Sequence, residues 1–241
     1  MIERVRYEGV SRCSRTFERD GAALVVLSNL GPGVVRGDAL EISGTVGPGA
    51  HLIVTEQTAT RVLGGVAPSH IDAVWSVASG ATLELRPEPI VAQLGGDATF
   101  SVTIDCAPDA TVIVRDLASI SGTTRVRLKT LIRVGGRDAF YDSIELGPDA
   151  PPAIGTVAMI GRPADPGALD ALAASSALRV GVGVLAAGLF VRVLGPAVWP
   201  VRSVLDAVCA TIAPHRDTLA GGSESAGADG SANGRPFAIQ A

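Results

Sequence analysis

The chain has 241 residues, a net charge of −4 and 18% charged side chains, where an average globular chain carries about 25%. That balance supplies no basic field for nucleic acid, and two tryptophans and two tyrosines are too few for a base-stacking platform. The longest apolar run, Val180 to Val191, falls short of the roughly 20 residues that a membrane span needs, so no span is expected and the run is read as buried β structure.

Abundant turn residues, 29 glycines and 15 prolines, predict a mainly β chain of many short strands. Ala22 to Leu27 reads as a fully buried strand before a Gly/Pro loop. Leu40, Ile42 and Val46 alternate with Glu41, Ser43 and Thr45, as a half-buried strand does. The same alternation recurs at Phe100, Val102 and Ile104. It recurs again at Val126, Leu128, Ile132 and Val134, with Arg125, Arg127, Lys129 and Arg133 on the opposite face. Gly135-Gly136 then offers a hairpin turn.

An internal echo runs through this region. Gly49-Ala50, Gly80-Ala81 and Asp109-Ala110 each precede a strand, at steps of 31 and 29 residues. Repeats of that size predict an elongated stacked-strand assembly, β-helix-like or sandwich-like, around one shared core.

The last third changes character. Pro166 to Ser176 predicts a short helix, with Asp165 as N-cap and Pro166 at the first helical position. Leu178 to Leu194 predicts two strands that turn at Ala186-Ala187-Gly188. In Ala197 to Ile212, Val198, Val201, Val204, Leu205, Val208 and Ile212 fall at helical spacing, Pro200 lies in the first turn and Pro214 ends the helix. The expected organisation is one β-rich domain over 1–214 with C-terminal helices that cap the core, and a mobile tail over 215–241.

Few constellations carry chemistry. Gly31-Pro32-Gly33 follows an apolar strand, but Arg36 takes the third-glycine position and no helix follows to hold a phosphate. No GxSxG, HExxH, HxH or CxxC pattern occurs, and His51, His70 and His215 are scattered. Cys13, Cys106 and Cys209 lie far apart, and Met1 to Arg6 contains no apolar stretch. Both features fit a reduced, cytoplasmic protein. No permanently bound cofactor is expected. A transient metal site could draw on Asp38, Glu56 or His51. Asp38 equally suits an Asx turn, Thr55, Thr58 and Thr60 a solvated strand face, and Glu88 a turn between two prolines.

Several ordered blocks resemble the urease accessory proteins of the UreD/UreH type. They are the Leu30 to Asp38 loop with Gly37-Asp38, the Val46 to Ala50 turn, and Thr55 to Val62 with Glu56 and Arg61 as substitutions. Leu83 to Ile90 with Glu88, and Leu189 to Gly195 followed by the terminal helix, complete the set. Two departures are Pro32 and Arg36 in the first loop and the poor match between Asp116 and Tyr141.

The resemblance implies a non-enzymatic maturation factor. Such proteins bind apo-urease and the other accessory proteins, including a nickel-delivering GTPase. They hold the assembly while Ni²⁺ reaches the urease active site and its lysine is carbamylated. The ion's route is then expected inside the β structure, and Gly37, Asp38, Thr55, Glu56, Thr58, Thr60, Arg61 and Glu88 are expected to line it or a partner surface. The alternatives are a β-solenoid carbohydrate-active enzyme, disfavoured by 4% aromatics, and a β interaction module with no metal role.

Overall fold

The structure is a computed structural model that describes residues 2–6, 11–35, 37–65, 67–93, 95–162, 166–212 and 237–240. Three short strands, β1 (Ile2–Arg6), β2 (Ser11–Cys13) and β3 (Phe17–Arg19), precede a repeated coil. The first coil is β4 (Ala22–Asn29), β5 (Val34–Val35) and β6 (Ala39–Val46). The second is β7 (His51–Glu56), β8 (Thr60–Leu63) and β9 (Ser69–Val77). The third is β10 (Thr82–Arg86), β11 (Ile90–Ala92) and β12 (Asp97–Cys106). The fourth compresses to β13 (Thr111–Ile120) and β14 (Arg125–Val134).

Successive coils stack in parallel, as the sequence echo predicts. Thr82 lies opposite both His51 and Thr111, so the three Gly/Asp-Ala turns fall one above another. Backbone bonds run up that column: Thr82 N–H to Ala50 O at 2.8 Å and Thr111 N–H to Ala81 O at 2.9 Å. The strands form three faces, β4-β7-β10-β13, β5-β8-β11 with the end of β13, and β6-β9-β12-β14. A β-solenoid results, because each coil buries its apolar face only against its neighbours.

The stack then closes with antiparallel structure. β15 (Arg137–Leu146) returns along β14 through Gly135-Gly136, whose φ values of 55° and 78° suit a tight hairpin that glycine adopts without strain. β16 (Ala153–Ile160) pairs with β13, β18 (Gly188–Gly195) with β16, and β17 (Arg179–Leu185) with β18. The fold is thus β-helix-like in its first part and sandwich-like in its last. β4 differs from the expected fully buried strand: only Ala22 and Val25 are buried. It lies next to the sheet's end, with only the short β2 and β3 beyond it.

The two predicted helices are present as α1 (Pro166–Ser175) and α2 (Val198–Ile212). α2 buries Val201, Leu205, Val208, Cys209 and Ile212 against the outer faces of β13, β16 and β18. Each such side chain contributes about 1.5–3 kcal/mol, so α2 caps the core. At the far end, β19 (Phe237–Gln240) pairs with β6 and β1, so the expected tail of 215–241 returns to the sheet at these four residues. Arg36, Asp165, Pro214 and His215 lie outside the described residues.

Candidate functional site

A cavity of about 420 Å³ lies inside the coil. Its walls are apolar where the faces oppose each other: Val54, Leu85 and Val114 on one side, Ile42, Ile71, Trp75 and Val102 on the other. Polar groups gather at one corner and along the rim, among them Thr55, Glu56, Thr58, Thr60, Arg61 and Asp116. Strand alternation explains which residues enter. Leu52, Val54 and Glu56 share the inward parity of β7, and Val112, Val114 and Asp116 share that of β13. Continuing the register Val54–Leu85–Val114 by two residues aligns Glu56, Pro87 and Asp116. The two carboxylate-bearing backbones are therefore about 10 Å apart, two strand spacings.

Glu56 sits among its predicted companions. The Thr60 hydroxyl donates to Glu56 Oε2 at 3.3 Å, and the Glu88 backbone N–H also reaches this carboxylate. Thr55 Oγ1 donates to Arg86 O at 2.9 Å, and Thr60 N–H to Pro89 O at 3.0 Å. Enclosure in the coil pushes the Glu56 carboxyl up to about 7, and the hydrogen bonds from Thr60 and Glu88 only partly offset that burial. Asp116 is raised to about 6, first by burial and also by the Asp142 charge. The Thr130 hydroxyl at 3.2 Å and the Arg115 and Arg192 charges act in the opposite direction. Both acids thus change protonation near neutral pH.

The Gly/Pro loop forms the rim. Gly33 has φ 132°, and a Cβ there would stand 2.5 Å from Arg61 O, so only glycine lets this loop lie on the β8 backbone. Gly37 and Asp38 are not among the lining residues. Asp38 Oδ2 accepts from Val35 N–H at 2.8 Å and Asp38 N–H donates to Val35 O at 3.1 Å, so this exposed residue closes the turn into β6. His51 also lies elsewhere. It points to the outer face, where its Nε2 is 2.6 Å from Glu84 Oε1. Burial alone would raise the Glu84 carboxyl, but the His51 hydrogen bond and the Arg86 charge outweigh it and hold the group below its usual range.

Glu88 bridges the inside and outside of the wall. Its carboxylate forms a double hydrogen bond with Arg202 of α2, at 2.5 and 2.7 Å. Arg115 pairs with Asp206 of the same helix and donates to Pro87 O at 2.8 Å. The Pro87–Pro89 segment is therefore held by α2 outside and by Thr60 inside.

The structure brings Thr55, Glu56, Thr60 and Glu88 together and sets Thr58 and Arg61 on the rim; it separates Gly37, Asp38 and His51. Sequence reasoning missed Asp116, Arg115, Arg192, Arg202 and Asp206. The one available signal was Arg115-Asp116 as a charged pair inside an otherwise apolar strand. Among the described residues, no three His, Cys, Asp or Glu side chains converge as a closed metal site. The polar donors of the cavity are oxygen ligands, one carboxylate at a time, of the kind that hold a cation weakly.

Fold and site together define a capped β-solenoid with an acid-bearing internal cavity. The chain matches the family model described as "UreD urease accessory protein" over residues 1–222 and belongs to that family. It is 31% identical over 153 residues to a urease accessory protein UreD of Actinomyces naeslundii, covering 59% of this chain and 56% of that one. It is 29% identical over 150 residues to the UreD of Streptomyces avermitilis, covering 60% of each. A shorter match, 37% over 86 residues, is to the UreD of Natronomonas pharaonis, covering 35% of this chain and 29% of that one. The chain thus aligns with a little over half the length of the first two relatives. No helix among the described residues is long and apolar enough to cross a membrane.

Proposed function

We propose that this protein is a cytoplasmic, non-catalytic urease maturation factor. It binds apo-urease and the other accessory proteins, including a nickel-delivering GTPase, and passes Ni²⁺ as cargo along the coil interior. The observation that carries the reading is the cavity inside the coil, open at its rim, with Glu56 and Asp116 facing inward. A conduit must bind an ion and then let it go. Single carboxylates flanked by hydroxyls and apolar walls suit that task better than a closed ligand set, which would trap the metal. A carboxylate that titrates near neutral pH can exchange a proton for the cation as the ion moves. Asp38 has no part in this route, because its side chain closes an outer turn.

The test is urease matured in cells with Glu56→Gln, Asp116→Asn or both. The expected result is at least about a tenfold loss of nickel per urease active site in the double variant, a ΔΔG of about 1.4 kcal/mol or more in delivery. The variant should still co-purify with apo-urease and the accessory partners. Full nickel content with the double variant refutes the route. Loss of co-purification by the wild-type chain refutes the scaffold.

A further inference from the structure

Six strands form the ends of the two sheets among the described residues: β1 and β15 in one, and β2, β3, β5 and β17 in the branched other. Five of them carry charges or are too short to pair with another chain. β1 contains Glu3, Arg4 and Arg6, β2 contains Arg12, β3 contains Glu18 and Arg19, and β5 spans only two residues. β15 contains Arg137, Asp138, Asp142 and Glu145, and its pairing with β14 shifts register at Ile132/Arg133.

β17 has none of these. After Arg179 it reads Val180-Gly181-Val182-Gly183-Val184-Leu185, and its register with β18 runs without a shift. Helix α1, which packs on β17, adds a single charge, Asp170. Val184 is 72% exposed. Ala186-Ala187 forms a two-residue turn, which makes Leu185 and Gly188 a hydrogen-bonded pair. The antiparallel alternation then aims the N–H and C=O groups of Val180, Val182 and Val184 at the open edge.

We propose that β17 pairs with β17 of a second copy of this chain, antiparallel about a two-fold axis at Val182. The strand is its own complement in that register. Val180 meets Val184 of the second copy, Val182 meets its counterpart, Gly181 meets Gly183 and Arg179 meets Leu185 at each end, so no like charges oppose each other. An isologous contact pairs each residue with its symmetry mate, and the near-palindromic Val180–Val184 stretch presents compatible residues to itself. The sheet becomes continuous across the dimer, and the two α1 helices flank the seam on one face. The contact is limited to one strand pair with two short helices, and the dimer is expected in the micromolar range.

Sedimentation velocity of the full chain from about 1 to about 100 µM tests this. The wild type is expected to pass from monomer to dimer across that range. Val184→Lys places a charge opposite Val180 of the second copy at a site already exposed, and is expected to weaken the dimer at least about tenfold. Val184→Pro removes an edge-facing N–H that finds no acceptor among the described residues, and is expected to do the same while leaving circular dichroism and melting unchanged. A wild type that stays monomeric throughout, or a dimer that both substitutions leave intact, overturns the proposal. So does an edge that binds a urease or accessory-protein strand while the chain remains monomeric.

Discussion

Replacing Glu56 by glutamine tests the cavity electrostatics without relying on any partner. In the folded protein the carboxyl is raised from 4.5 to about 7. The native state therefore keeps a proton that the unfolded chain releases in that window. The sign follows: the stabilisation is complete below pH 4.5 and is lost as pH rises to about 7. A shift of that size corresponds to about 3 kcal/mol at pH 8. The glutamine side chain would carry no charge at any pH and could still accept from Thr60. Its amide N–H groups must find partners in the cavity, which returns part of the gain. Glu56→Gln is thus expected to stabilise the chain by about 1–3 kcal/mol at pH 8 and by close to nothing at pH 4.5. Urea unfolding followed by the fluorescence of Trp75, which lines the cavity, reads this at a series of pH values. A variant less stable than wild type at pH 8, or equal gains at both ends of the range, would mean that the carboxylate is already well solvated or paired.

Asp116→Asn is expected to behave alike over a lower window. Its stabilisation is complete below pH 3.8 and lost by about pH 6, so the variant gains about 1–3 kcal/mol at pH 8 in the same titration. Arg202→Ala leaves Glu88 without its partner and is expected to cost about 1–2 kcal/mol, discounted because both side chains retain some solvent. A Glu88→Gln/Arg202→Ala cycle with no coupling would show that the pair does not hold α2. Gly44→Ala would place a Cβ 2.2 Å from the Trp75 ring and is expected to cost about 1–3 kcal/mol and shift tryptophan emission; unchanged spectra and stability would mean that the coil spreads freely. Asp38→Ala is expected to leave the nickel content of matured urease unchanged, and a large fall in metal analysis would return this residue to the route.

Periodicity made the solenoid legible. The Gly-Ala and Asp-Ala turns at steps of about 30 residues mark coils, because stacked parallel strands bring each residue over its equivalent one coil earlier. The α2 stripe was equally readable, since burial on one helix face leaves an i, i+4, i+7 trace. Thr55, Glu56, Thr60 and Glu88 were picked out in the sequence, and the coils bring them together. His51 was picked out by residue type and Asp38 from the Gly37-Asp38 loop of the family resemblance, and neither signal says which side of a strand or turn faces the interior. Asp116 escaped because, Arg115 apart, the residues around it are apolar on both parities of β13, one set facing the cavity and the other α2.

Local pattern determined the turns, the two helices and some of the strands, and the spacing of equivalent turns gave the repeat, whereas β9 and β16 left no reading in the sequence. Tertiary structure decided what had no local signature: which acids face inward, that α2 clamps the Pro87–Pro89 wall through Arg202 and Asp206, and that residues 237–240 rejoin the first coil. Those outcomes depend on burial and on contacts between segments tens to hundreds of residues apart, where the free energy of each ion is set by what the fold places around it.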